Sequence, residues 1–233
     1  MRQDDTLSVD AYGPAYFAAQ IRKSDAKVAW QYGRILTLAG VSALWQQRVI
    51  DVGCGAGPAL RYLTNQGALV LGLDHSRYAL EMAAHLAPDA GVACSDSSVS
   101  LPCATACADI ILLSELVEHL TDADALLREC SRVLRPGGRI IVTTPNLWDV
   151  RRWLSPLAGK TWSAYTDVTH VNLYTPTRLA RALRAAGFAQ VRWRTGLKPV
   201  CWISSRRLRL RWFIPYPPAV GNGLLATAIK AAQ

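Results

Sequence analysis

The 233-residue sequence is poor in several things, and each shortage excludes something. No apolar run is long enough to cross a bilayer, so a helical membrane span is not expected. The opening MRQDDTLSVD has no basic stretch leading into an apolar one, which argues against a secretory leader and for a cytoplasmic protein. Acidic residues stop at Asp167, while Arg178, Arg181, Arg184, Arg192, Arg194, Lys198, Arg206, Arg207, Arg209 and Arg211 follow it. This asymmetry, within a net charge of +9, speaks of anionic partners rather than of fold. Cys103 and Cys107 are spaced like half a zinc site, but no second Cys/His pair completes it. The six cysteines therefore read as reduced thiols, and no metal ligand is assigned. With 51% hydrophobic residues, a sizeable core can be buried and global disorder is excluded.

The stretch VIDVGCGAGPAL, residues 49–60, organises the rest. Val49, Ile50 and Val52 suit a strand buried on both faces, and Asp51 interrupts the run just before the chain turns. Gly53, Gly55 and Gly57 allow positive φ and close approach of a ligand to the main chain. Pro58 then fits the first turn of a helix. Strand, glycine turn and helix N-terminus together make a binding site for a nucleotide-like ligand. A dinucleotide fingerprint would need glycine at position 58, and proline stands there instead.

Downstream, the residues alternate between strand and helix patterns. A second strand, 68–73, ends in Asp74, 19 positions after Gly55, near the spacing at which a carboxylate meets ribose hydroxyls. A short strand at 91–94 leads to Asp96 and Ser97. A fourth strand, 108–113, is followed by SELVEHL with Ser114, Glu115 and His119. A helix from Thr121 runs to Leu134, Arg135 to Gly138 form a turn, and 139–143 is a fifth strand. Residues 146–174 break the alternation with tryptophans, tyrosines and arginines, then Thr175, Pro176 and Gly187 bracket a helix. Strands at 188–194 and 224–229 close the chain. The basic, aromatic connection 196–222 between them suits either an anionic membrane surface or a cover over its own sheet.

These motifs, in this order, resemble the class I S-adenosylmethionine-dependent methyltransferases over roughly residues 45–195. The resemblance rests on DVGCGAG (51–57), SELVEHL (114–120), LRPGGRIIVTTPN (134–146) and DVTHVNLYTP (167–176). It implies an α/β, Rossmann-like seven-stranded sheet, mostly parallel with the last strand antiparallel and helices on both faces. Residues 1–44 would form an N-terminal helical cap and 45–233 the methyltransferase domain. The cofactor is S-adenosyl-L-methionine. Asp51, Gly53, Cys54, Gly55, Gly57, Asp74, His75, Asp96, Ser97, Ser114, Glu115 and His119 are expected around it. Tyr16, Asp167, His170 and Tyr174 are expected on the acceptor side. An alcohol or phenol acceptor needs its proton taken, and His170, or else His119, is the candidate base. The expected acceptor is a small anionic, aromatic or lipid-linked molecule, methylated on oxygen. RNA or protein methylation, or cofactor binding without turnover, are the alternatives. The D/N-P-P-aromatic string of enzymes that methylate base amines is absent after the fourth strand, which counts against nucleic acid.

Overall fold

A computed structural model describes residue 17 and residues 24–96, 100–157, 159, 161–197, 200–204, 211–215 and 219–231. For 200–204 and 211–215 only the backbone is described. Tyr16, Ser97 and most of the basic connection lie outside the described residues.

The first described helix, α1 (Asp25–Ala39), starts at Ser24, whose hydroxyl accepts from the Lys27 amide, and stops at Gly40 in the left-handed region. Then come β1 (Arg48–Val52), α2 (Pro58–Asn65), β2 (Leu69–Asp74), α3 (Arg77–Leu86), β3 (Gly91–Cys94) and β4 (Ala108–Ser114). A 3-10 turn, Val117–His119, precedes α4 (Ala123–Val133) and β5 (Leu134–Thr144). Two short helices, α5 (Arg151–Leu157) and α6 (Ser163–Thr166), lead to α7 (Pro176–Ala185) and β6 (Phe188–Thr195). The strands β7 (Val200–Ser204) and β8 (Arg211–Pro215) pair antiparallel as a separate two-stranded sheet, and β9 (Leu224–Lys230) ends the fold.

The main sheet has the order β3-β2-β1-β4-β5-β9-β6. The first five strands are mutually parallel, and β9 runs antiparallel to both β5 and β6. The central strands are apolar at successive positions because both faces are covered. Ile50, Val52, Ile111, Leu113, Ile140 and Val142 join the core under α4 and α7. Their neighbours Val49, Ile110, Leu112 and Ile141 point the other way, into a core shared with α1, α2 and α3. Alternation along each strand thus gives two cores from one sheet.

Two expectations about boundaries are corrected. The helix after β4 begins at Ala123, not Thr121, because the Asp122 carboxylate accepts the Ala125 amide at 3.2 Å and caps it. The 135–138 turn does not separate helix from strand. It is an excursion within β5, where pairing with β4 jumps from Ala108↔Leu134 to Ile110↔Arg139, and Gly137 takes φ 76°.

The carboxyl ends of β1, β2, β4 and β5 meet along one rim of the sheet, where open α/β folds bind ligands. Gly57 shapes that rim: it has φ 82°, and a Cβ there would lie 2.9 Å from the Cα of Ala83 on α3. Gly57→Ala is expected to cost about 2 kcal/mol through strain and displaced packing. That corresponds to a Tm about 4–8 °C lower, and an unchanged melting curve would contradict the packing described.

Candidate active site

The glycine turn after β1 is held by β2. The Gly53 and Cys54 amides donate to the Leu73 carbonyl at 2.7 and 3.1 Å. Asp74, at the tip of β2, accepts from the Gly55 amide at 2.9 Å through one oxygen and from the Ser76 amide at 2.9 Å through the other. A carboxylate oxygen can accept more than one hydrogen bond, so both oxygens retain capacity for a hydroxyl. His75 is largely exposed, with Nδ1 3.4 Å from Asp74 Oδ1. Cys54 is buried, its Sγ 3.7 Å from the Gly55 carbonyl oxygen. Asp96 is exposed just past β3, at the edge of the same rim.

Asp51 is 2% exposed, and its Oδ1 has no hydrogen-bond partner among the described residues. Burial, reinforced by the neighbouring Asp74 charge, pushes its pKa to about 8. An orphaned carboxylate oxygen beside a glycine turn is suited to a cationic ligand group. Gly53 takes φ 74°, and a Cβ there would meet the Leu116 side chain at 2.9 Å. These features fit S-adenosylmethionine, whose amino group is a cation.

Past β4, Ser114 Oγ lies 3.3 Å from Thr143 Oγ1. Glu115 follows with φ 53°, a left-handed conformation uncommon for glutamate and often tolerated at functional sites, and its amide donates to the Thr143 carbonyl at 2.9 Å. Tyr32 of α1 is buried beside this rim; burial and then the Asp51 charge raise its pKa, while a hydrogen bond with Ser114 opposes them. The sequence marked Tyr32 only as an aromatic residue, and its helical phase with Val28 and Ile35 was the available signal.

Two histidines 51 positions apart meet here, the rings of His119 and His170 having centroids 4.9 Å apart. Their tautomers follow from their partners. His170 Nδ1 lies 2.8 Å from the Ala164 carbonyl oxygen, which can only accept, so Nδ1 carries a proton. His119 Nδ1 lies 3.2 Å from the Thr169 carbonyl oxygen and 2.9 Å from the Thr169 hydroxyl. That hydroxyl donates to Asp167 Oδ1 at 2.6 Å, so it accepts from His119. Both histidines thus carry the proton on Nδ1. His119's pKa is lowered by burial and then by His170. Asp167 is lowered despite its burial, because the Thr169 hydroxyl and amide and His170 favour its charged form. Its Oδ2 sits 3.6 Å from His170 Nε2.

Sequence reasoning missed Glu118. It is fully buried, neither oxygen has a hydrogen-bond partner among the described residues, and burial followed by the Glu115 charge raises its pKa well above the usual range. One ligand atom each from Glu118, His119 and His170 lies within 4.8 Å of the others, so the trio could also hold a small cation.

Beside this cluster opens a cavity of about 380 Å³ lined by α1, Glu115, Thr143, the 145–151 segment, Trp162 to Ala164, His170, Leu197, Asn222 and Gly223. His170 lines it. Tyr174, expected to line the acceptor pocket, is placed elsewhere: it is 2% exposed in the core under α7, with its hydroxyl accepting from Asn172 Nδ2 at 3.0 Å. Asp149, also missed, is 1% exposed, accepts from Arg151 Nε at 2.9 and 3.0 Å, and receives the Trp162 indole N–H at 3.4 Å.

Residues 50–142 match a family described as "Methyltransferase domain". The chain is 32% identical over 177 residues to a ubiquinone biosynthesis O-methyltransferase of Sinorhizobium fredii, covering 73% of this chain and 70% of that relative. The chain belongs to the class I S-adenosylmethionine-dependent methyltransferases. The enzyme of the same name from Cupriavidus pinatubonensis is 28% identical over 169 residues, 69% of this chain and 68% of the relative. Across these curated relatives the methyltransferase chain spans 55 to 70% of their lengths. In fold it is similar to a SAM-dependent methyltransferase from Archaeoglobus fulgidus, with TM-score 0.67, 21% identity, and coverage of 92% of this chain and 98% of that one.

Asp51 gives this methyltransferase a pH signature. Its folded pKa of about 8 lies above the 3.8 of an unperturbed aspartate, so the stability it contributes is full below about pH 4 and is lost as pH rises towards 8. Pairing with a ligand ammonium favours the ionised carboxylate, so binding S-adenosylhomocysteine at pH 6.5 should release a proton. Calorimetry in phosphate and in Tris should then give heats that differ with buffer ionisation. Asp51→Asn should erase that difference and weaken binding about 10-fold or more; identical heats in both buffers for the unaltered protein would refute the assignment.

Proposed function

We propose that the protein transfers a methyl group from S-adenosylmethionine to an oxygen of a small-molecule acceptor bound in the cavity beside Glu115 and His170. The observation that carries this reading is a base poised on the cavity wall: His170 holds its Nδ1 proton on a backbone carbonyl, which leaves Nε2 of the neutral ring as proton acceptor. The donor supplies an already activated electrophilic methyl group. The chain's residues must therefore orient the nucleophile, exclude water and take its proton. In this reading Trp30 and Trp162 flank the acceptor, His170 Nε2 receives the hydroxyl proton, and Asp167 stabilises the resulting imidazolium. His119 supports His170 through ring contact. The relatives named for O-methylation in ubiquinone biosynthesis favour oxygen over nitrogen or carbon.

Peripheral contact with an anionic membrane gains support from a segment other than 196–222. No residue of α5 is buried, and Trp153, Leu154, Leu157, Tyr165, Val168 and Val171 are exposed beside the cavity-lining residues of the same stretch. The Arg152 guanidinium lies 5.5 and 5.8 Å from the Trp153 and Tyr165 ring centroids. Such a cationic, aromatic face suits a headgroup layer. No helix among the described residues is long and apolar enough to cross a membrane. Flotation with phosphatidylglycerol vesicles should carry the protein upward, and Leu157→Ser with Val168→Ser should leave most of it at the bottom. Recovery of both proteins at the bottom would exclude this contact.

Turnover is measured as S-adenosylhomocysteine formed on incubation with S-adenosylmethionine and a metabolite extract. His170→Ala should lower it by about 100-fold or more while S-adenosylhomocysteine affinity stays within about two-fold. Retained turnover would remove His170 as the base.

A further inference from the structure

The wall of the cavity formed by α1 has its own pattern. The helix buries Val28, Tyr32, Ile35, Leu36 and Ala39 in the core. A second stripe, Lys27, Trp30, Gln31 and Arg34, lines the cavity. These positions are i, i+3, i+4 and i+7, one face of a helix. Five ionisable side chains besides His170 line the cavity: Lys27, Arg34 and Arg151 against Glu115 and Asp149. Asp149 is committed to Arg151 and the Trp162 indole, so that pair cancels. Glu115, directly after β4, supplies one further negative charge, and Lys27 and Arg34 on α1 outnumber it. The α1 wall is therefore a positive one.

Its two cations differ in character. Arg34 is fastened at the rim, with Nε donating to the Leu197 carbonyl at 2.8 Å and Nη2 lying 3.5 Å from the Gly196 carbonyl oxygen. Lys27 is exposed at the mouth, two helical turns away, about 10 Å along the axis. Apolar surface from Trp30, Ile35, Trp162 and Leu197 completes the walls. A fixed guanidinium and an adaptable ammonium over aromatic walls are complementary to a ligand with a flat apolar body and an oxyanion at one end.

We propose that the acceptor carries such an oxyanion, a carboxylate or a phosphate, and that Lys27 and Arg34 select it. This rests on the methyltransferase reading and names the substrate class of the same cavity. Charge recognition in a half-enclosed cavity weakens with salt but is not abolished by it.

The test loads the full chain with S-adenosylhomocysteine, whose own binding heat reports separately on the methyltransferase reading. Tryptophan fluorescence then follows titration with 4-hydroxyphenylacetate, its neutral amide 4-hydroxyphenylacetamide, and phenyl phosphate. At least one anion should bind about 10-fold or more tighter than the amide, and the tighter of the two identifies carboxylate or phosphate as the source. Lys27→Ala and Arg34→Gln should each cut that preference about five-fold, leaving amide and S-adenosylhomocysteine affinities unchanged. Arg34→Lys keeps the charge and guards against a folding defect: it should retain more of the preference than Arg34→Gln. Equal binding of anion and amide, a preference untouched in the double variant, or no binding of any probe to the loaded protein would each overturn the proposal.

Discussion

The structure turns on one carboxylate that faces two ways. Asp74 holds the Gly55 amide with one oxygen and the Ser76 amide with the other, so the loop after β1 and the approach to α3 are fixed to the same strand tip. That bridge sets the glycine turn's distance from β2, and it holds a negative charge close to Asp51. The rim therefore contains two acids side by side, one satisfied by main-chain donors and one left short of them. A ligand with hydroxyls at one point and a cation at another restores the balance. Neither an apolar ligand nor a pyrophosphate would do so, because the first leaves Asp51 unpaired and the second adds like charge.

The glycine turn and its two acids were legible in the sequence as one cluster because they are nearly contiguous. Asp51 and the three glycines lie within seven residues, and Asp74 follows by strand-helix-strand arithmetic that parallel sheets enforce. The sheet was legible for a similar reason: strands buried on both faces announce themselves as apolar runs, and the order of motifs fixed their connection. The cavity was less open to reading. Its lining comes from α1, the 145–170 segment and the loop before β9, segments spread over nearly the whole described chain. Tyr174 shows how such reading fails. Its aromatic ring and its place near His170 suggested a pocket wall, yet the apolar demand of the core under α7 took it instead, with Arg178 4.5 Å over the ring. Asp149 and Glu118 show the converse: an acid next to a tryptophan or a histidine looks solvated in a string of letters, and only packing reveals it as enclosed.

Enclosure also fixes how the two histidines are oriented. Each ring is oriented by an acceptor on Nδ1, a backbone carbonyl for His170 and the Thr169 carbonyl and hydroxyl for His119. The Thr169 hydroxyl can accept because Asp167 already takes its proton, so the orientation of His119 depends on an acid that does not touch it. Desolvation favours the neutral form of His119, and one of its ring nitrogens lies within 4.8 Å of a ring nitrogen of His170 and a Glu118 carboxyl oxygen.

Glu118 then becomes intelligible as a cost carried by the site. A fully buried carboxyl that lies 4.0 Å from His119 Nε2, beyond hydrogen-bond reach, destabilises the fold, and an apolar residue of similar size would suit that position better for stability alone. Burial and then the Glu115 charge raise its pKa well above the usual carboxylate range, so the protonated form is favoured and it adds little negative charge beside the histidine pair. Meanwhile its backbone carbonyl accepts the amides of Val171 and Asn172, which ties the turn after β4 to the strand-like stretch following His170. A residue that burdens the core thus also helps to join the two segments carrying the histidines, alongside the His119 contacts with Thr169. A side-chain substitution there leaves the backbone tie in place and changes only the carboxyl that stands beside the histidines.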